Sequence, residues 1–147
     1  MKAWMLACVA LAGAAITVQG GFNARLRTAI GAPWLAGAWI IGTEAAGFFL
    51  GAIIARETLP GWTTLRRAPW WSYTGGILGV LIVYVGIILA TKLGAGPFNG
   101  ILVTAAILTS LLLDHYGLAG FEQHSLNLWR VAGGLLMIGG ITLIATH

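Results

Sequence analysis

The residues able to do chemistry in this sequence are few, and one dominates them. Only four carboxylates occur, and Glu44 is the sole charged residue between Pro33 and Ala55. An ionised side chain near a bilayer midplane costs at least about 2.5 kcal/mol, so such a residue needs a polar partner, a water-filled cavity or a proton. Two readings of Glu44 stand side by side. It is a proton carrier or cation partner, or a carboxyl group held in its protonated form by Gln19, Tyr84 or backbone. Helical spacing puts Gly37, Gly47 and Gly51 on its face, a side on which another helix can approach closely.

Other polar groups lie within apolar runs. Gln19 and Asn23 are four apart on a face shared with Ala12, Ala15 and Ile16, where two amides can serve a neighbouring helix or a ligand. Tyr73, Tyr84 and Thr91 share a second face, with Tyr73 an interfacial anchor and the Tyr84 hydroxyl in need of a partner. Asn99, Ala106 and Ser110 align on a third; Asn99 follows Pro97 and suits a capping role as well as a ligand role. The candidate substrate or coupling-ion residues are therefore Glu44, Gln19, Asn23, Tyr84, Asn99 and Ser110. No GxSxG, HExxH or phosphate-binding glycine loop occurs, so no catalytic residue and no cofactor is expected. Asp114, His115, Glu122 and His124 cluster in one loop, but acids and histidines at a membrane boundary are commonly solvated, and no metal site is expected there. Cys8 stands alone, which excludes a disulfide framework and a thiolate metal site.

The elements that carry these residues follow from length and apolar continuity. The 147 residues are 59% hydrophobic and 8% charged, with a mean hydropathy of +0.90. Soluble domains carry about 25% charged residues, so the composition is that of a polytopic membrane protein. The net charge of +4 is scattered over segment ends and is not a nucleic-acid footprint. Five spanning helices are expected over about 3–22, 33–55, 70–91, 97–116 and 128–146, forming one all-α transmembrane domain over residues 1–147. Lys2 with the apolar stretch behind it has the look of a signal peptide, but no convincing small-x-small cleavage site precedes Gln19-Gly20-Gly21, and the segment is read as a helix. Gly31 and Pro33 break the chain after the first helix, and Trp70-Trp71 form an interfacial aromatic pair.

Five crossings place the termini on opposite sides. Lys2, Arg56, Arg66, Arg67 and Arg130 fall on one side, against Arg25, Arg27 and Lys92 on the other. Five against three is a weak bias towards a cytoplasmic N-terminus and permits insertion in both orientations. The spacings Gly47/Gly51, Gly75/Gly79 and Gly96/Gly100, with Gly133-Gly134 and Gly139-Gly140, allow close helix contacts.

Several of these stretches resemble one family. Gln19-Gly-Gly-Phe-Asn23-Ala-Arg-Leu26 is similar to the end of the first helix in short YdcZ-like members of the drug/metabolite transporter superfamily. Trp70-Trp71 with Gly75-Gly76-Ile-Leu-Gly79 resembles their third-helix start, and Leu93-Gly94-Ala95 their third loop. Ser110-Leu-Leu-Leu-Asp114-His115-Tyr116-Gly117 resembles the fourth-helix ending, and Arg130-Val-Ala-Gly133 fits the last segment. The resemblance covers nearly the whole chain. It implies a multi-pass protein of the cell (inner) membrane and a five-helix half-unit of a ten-helix inverted-repeat transporter. Such a unit is expected to pair with itself, parallel or antiparallel, or with a paralogue as a heterodimer. The chain departs from the family pattern at Glu44, where an apolar residue is common after Gly42-Thr43, and at Ala106-Ile107, where many relatives carry Gly-Gln.

The expected function is a non-enzymatic transporter of small organic solutes, dimeric and working by alternating access, with Glu44 exchanging a proton or cation. The alternative is a non-transporting membrane subunit that scaffolds or regulates another membrane protein. Its basis is the near absence of loops beside abundant glycine faces.

Overall fold

The computed structural model describes residues 2–147, and every regular element in them is helical. In lipid the backbone must satisfy its own polar groups, and helices of apolar side chains do so without a partner strand. Five of the helices are long and apolar enough to cross a membrane.

Helix α1 runs from Ala3 to Ile30, 28 residues or about 42 Å. It continues through Asn23, Arg25 and Arg27 rather than ending near Phe22, because nothing before Gly31 breaks it. Gly31 adopts a left-handed conformation (φ 74°), and its N–H closes the helix on the Arg27 carbonyl. Pro33 then opens α2, which extends from Pro33 to Ile54. Proline suits that position, since its fixed φ is helical and the missing N–H would have no partner. The link between the two helices is only Gly31-Ala32.

Loop 55–69 contains a short helix, α3 (Trp62–Leu65), that the sequence reading leaves as irregular loop. The Arg66 guanidinium lies 5.1 Å from the Trp62 ring centre, and the Tyr73 hydroxyl donates to the Leu65 carbonyl at 2.6 Å. Trp70–Thr74 form a 3-10 turn that leads into α4 (Gly75–Leu93). A single residue, Gly94 (φ 86°), separates α4 from α5, which spans Ala95–Tyr116. The expected turn at 92–97 is thus much tighter, and Pro97 sits in the first turn of α5. Loop 117–127 leads to α6, Leu128–Thr146, whose N-cap Asn127 accepts the Arg130 N–H at 2.9 Å.

The chain divides into two compact units, residues 1–91 and 92–147. In the first, α1 packs on α2. Small residues make this contact: Ala24 is 2% exposed and Ala36 fully buried, with Ile40 beside them. In the second, α5 packs on α6, and here two glycines lie close against side chains of the facing helix. A Cβ at Gly100 would run into Ile141 Cδ1, and one at Gly134 would sit 3.0 Å from Leu108 Cδ2. The small-xxx-small spacing of Gly96/Gly100 therefore serves contact within the chain. Gly47, Gly51, Gly75 and Gly79 meet nothing within 4 Å. Buried hydrophobic residues are few, Ala24, Ala36, Ile40 and Ile87, while aromatic and aliphatic side chains stand outward along every span. Lipid is as apolar as leucine, so a membrane helix has no cause to hide them.

Candidate functional site

The site forms where α1 and α2 part. On α2 the stripe facing α1 follows helical spacing through Ala36, Ile40, Glu44, Gly47 and Gly51. Ala36 and Ile40 are buried, whereas Gly47 and Gly51 face open space. Glu44 lies between these halves, twelfth of the 22 residues of α2 and so near the middle of the span. Its Oε1 accepts a hydrogen bond from Gln19 Nε2 at 2.6 Å. This contact joins residues 25 apart in sequence across the helix pair.

The Glu44 partner is an amide and not a cation. Among the described residues the one ion pair is Asp114–Arg130. An amide satisfies a carboxyl group in either protonation state, since Gln19 donates through Nε2 and retains Oε1 as an acceptor. The second carboxyl oxygen of Glu44 thus remains for another donor. This arrangement can exchange a proton for a cationic group without first breaking an ion pair.

Beside the pair, Phe22, Asn23, Leu26 and Ile30 of α1 face Trp39, Ile40 and Thr43 of α2 across a cleft of about 480 Å³. Asn23 is half-buried there, and its amide has no hydrogen-bond partner among the described residues. The Thr43 hydroxyl is already satisfied by the Ile40 carbonyl at 2.8 Å. Trp39, Phe22 and this cleft escaped the sequence reading. A tryptophan and a phenylalanine within apolar runs look like ordinary lipid-facing side chains, and only the α1–α2 crossing sets them opposite one another.

The remaining sequence candidates have other surroundings. Tyr84 stacks on Trp34, with ring centres 4.3 Å apart and planes 24° from parallel, and so ties α4 to the start of α2. Asn99 does not cap α5, a place that Gly94 holds; its Nδ2 donates to the Ala95 carbonyl one turn back at 2.9 Å. Ser110 likewise donates to the Ile107 carbonyl at 2.8 Å. Hydroxyls within apolar helices commonly return to their own backbone in this way.

In the second unit the end of α5 is fastened to the start of α6. Arg130 Nη1 lies 3.3 Å from Asp114 Oδ2 and equally far from the His124 carbonyl. The Asp114 carbonyl accepts the His124 N–H at 2.7 Å, and the Leu126 N–H donates to His115 Nδ1 at 3.2 Å. Gly117 (φ 61°) makes the reversal. No group of three or more His, Cys, Asp or Glu arranged for a metal occurs among the described residues. Asp114, His115 and His124 act as fasteners of the loop that joins two helices.

Neither curated proteins nor solved structures yield a match to this chain. A family model does: the one described as "Putative inner membrane exporter, YdcZ" matches residues 4–143. That is the work of a transporter rather than an enzyme, and with five apolar spans it makes a multi-pass inner-membrane protein. The chain belongs to the YdcZ family of the drug/metabolite transporter class.

Proposed function

We propose that this protein exports a small organic solute across the inner membrane in exchange for a proton, with Glu44 as the shared binding site. One observation carries the reading: a carboxyl group near the middle of a span whose partner is an amide, Gln19 Nε2 at 2.6 Å. A carboxylate at that depth exists for something, because its cost is met only by a partner, a proton or a ligand cation. A protonated Glu44 releases its proton when a cation binds and regains it when the cation leaves. The two cargoes thereby exclude each other.

The working unit is proposed to be a dimer of five-helix half-units, with the solute path between them. The open glycine surface at Gly47 and Gly51 supports this, since a second chain can approach there without meeting a side chain. The test is flux in proteoliposomes holding a pH-sensitive dye, with primary alkyl- and arylalkylammonium ions supplied on one side. Wild type is expected to move protons against the amine, and Glu44→Gln to move none while keeping its fold and dimer. Glutamine retains the hydrogen bond to Gln19 but carries no proton to exchange. Proton-coupled flux in Glu44→Gln at the wild-type rate would overturn the mechanism. Flux from the chain reconstituted alone separates it from a regulatory-subunit role.

A further inference from the structure

The cleft between α1 and α2 has a built polarity. One end lies at Ile30, beside the Gly31-Ala32 link and so at a membrane surface; the other lies at Phe22 of α1 and at Thr43, near the middle of α2. Asn23 lines that inner end, and Gln19 follows it one turn further along α1, about 6 Å away. The cleft therefore points from the surface towards the Gln19–Glu44 pair. Its walls are aromatic and aliphatic. Trp39 is 66% exposed and Phe22 71%, so neither ring is consumed by the packing of α1 on α2. At about 480 Å³ it falls within the roughly 300–1,000 Å³ of small-molecule sites.

We propose that this cleft is the selectivity site for a primary ammonium ion bearing a flat apolar body, an inference that rests on the Glu44 exchange reading above. The body lies between Phe22, Leu26 and Trp39. The ammonium reaches the unpaired oxygen of Glu44, and Asn23 Oδ1 accepts a further N–H from it. Three features select this occupant. Glu44 lacks a cationic partner, Asn23 has an idle amide at membrane depth, and the Trp39 ring takes a flat aromatic body against it. A neutral solute would leave the carboxylate unmet. An anion would be repelled. A quaternary ammonium would offer Asn23 no donor.

The experiment is equilibrium binding to the purified full chain in lipid nanodiscs, with 3-phenylpropylammonium, its N,N,N-trimethyl analogue and the neutral 3-phenylpropanol. Wild type is expected to prefer the primary ammonium over both. Trp39→Ala should weaken it about tenfold, the scale of one lost aromatic contact, while leaving methylammonium binding unchanged. Asn23→Leu should remove the preference for primary over quaternary without affecting the trimethyl compound. Thr142→Val on α6, a residue that does not line the cleft and whose hydroxyl donates to the Ile138 carbonyl, is the control for folding and should bind as wild type. If Trp39→Ala and Asn23→Leu both bind like wild type while Glu44→Gln loses the amine, the cleft is not the site and the exchange reading stands. If Glu44→Gln also binds like wild type, the exchange reading fails with it. Equal binding of 3-phenylpropanol and 3-phenylpropylammonium to wild type, or no binding of the amine, overturns the proposal directly.

Discussion

At the scale of single residues, the Gln19–Glu44 hydrogen bond shows how a costly group becomes tolerable. Its two partners are worth little as a pair and much as a single survivor, because a polar group left unpaired in hydrocarbon costs about 1–3 kcal/mol. Gln19→Leu is therefore expected to lower stability by about that amount, measured as thermal unfolding in nanodiscs. Adding Glu44→Leu should return most of the loss, since both polar groups then leave together. A double variant less stable than Gln19→Leu would contradict the account. The sequence reading named Gln19 among three possible partners of Glu44. It could not choose, because which amide meets the carboxylate depends on how far α1 has slid past α2. Tyr84 was legible as a hydroxyl at depth, yet its position follows from Trp34, a ring whose role was invisible without the α2–α4 stack.

At the scale of helices, contact rests on small residues, and their tolerance differs by position. Gly100→Ala must turn aside Ile141, whose Cδ1 the new Cβ would meet. Because that end of the side chain can turn, the loss should be at most about 1 kcal/mol, the low end of overpacking costs, and adding Ile141→Val should restore part of it. Gly139→Ala meets open space and should be neutral within about 0.5 kcal/mol. A destabilised Gly139→Ala beside a neutral Gly100→Ala would reverse the assignment. The loop fastening predicts a different signature. The Asp114–Arg130 pair is about one-third exposed at each side chain, so its own worth is at most about 1 kcal/mol. Arg130→Ala also frees the His124 carbonyl, however, and hydrogen exchange should rise across residues 118–126 with little change elsewhere. The five spans were legible because apolar runs of that length have few other uses. Helix ends were less so: α1 passes Phe22 by eight residues, since polar residues leave a helix intact until a Gly31 intervenes. Loop fastening was not legible, because Asp114 and Arg130 are sixteen residues apart and meet only through the path of the loop.

At the scale of the whole molecule, charge bears on orientation and open surface on the proposed dimer. Five basic residues against three hold orientation weakly. Wild-type chains carrying a cysteine at Thr58, with Cys8 replaced by Ala, are expected to be labelled from both sides of the membrane. Arg25→Ala with Arg27→Ala shifts the balance to five against one and should leave a single orientation. If the dimer is antiparallel, flux falls with it; labelling from one side in the wild type would exclude mixed insertion. A Cβ at Gly47 meets nothing within 4 Å, so Gly47→Leu should leave thermal stability intact, and in the proposed dimer it should lower the dimer fraction.

The two-residue link at Gly31-Ala32 reaches beyond the folded state. Helices joined this tightly are expected to enter the bilayer as one hairpin. As the ribosome releases α2, Gln19 is already waiting on α1, at the level Glu44 will reach. The carboxyl group can thus acquire its hydrogen bond during insertion instead of crossing the hydrocarbon alone. A flexible linker in place of Gly31-Ala32 would separate those two arrivals in time and lower the yield of inserted protein. A substitution at the left-handed Gly31 is therefore expected to show in the yield of inserted protein.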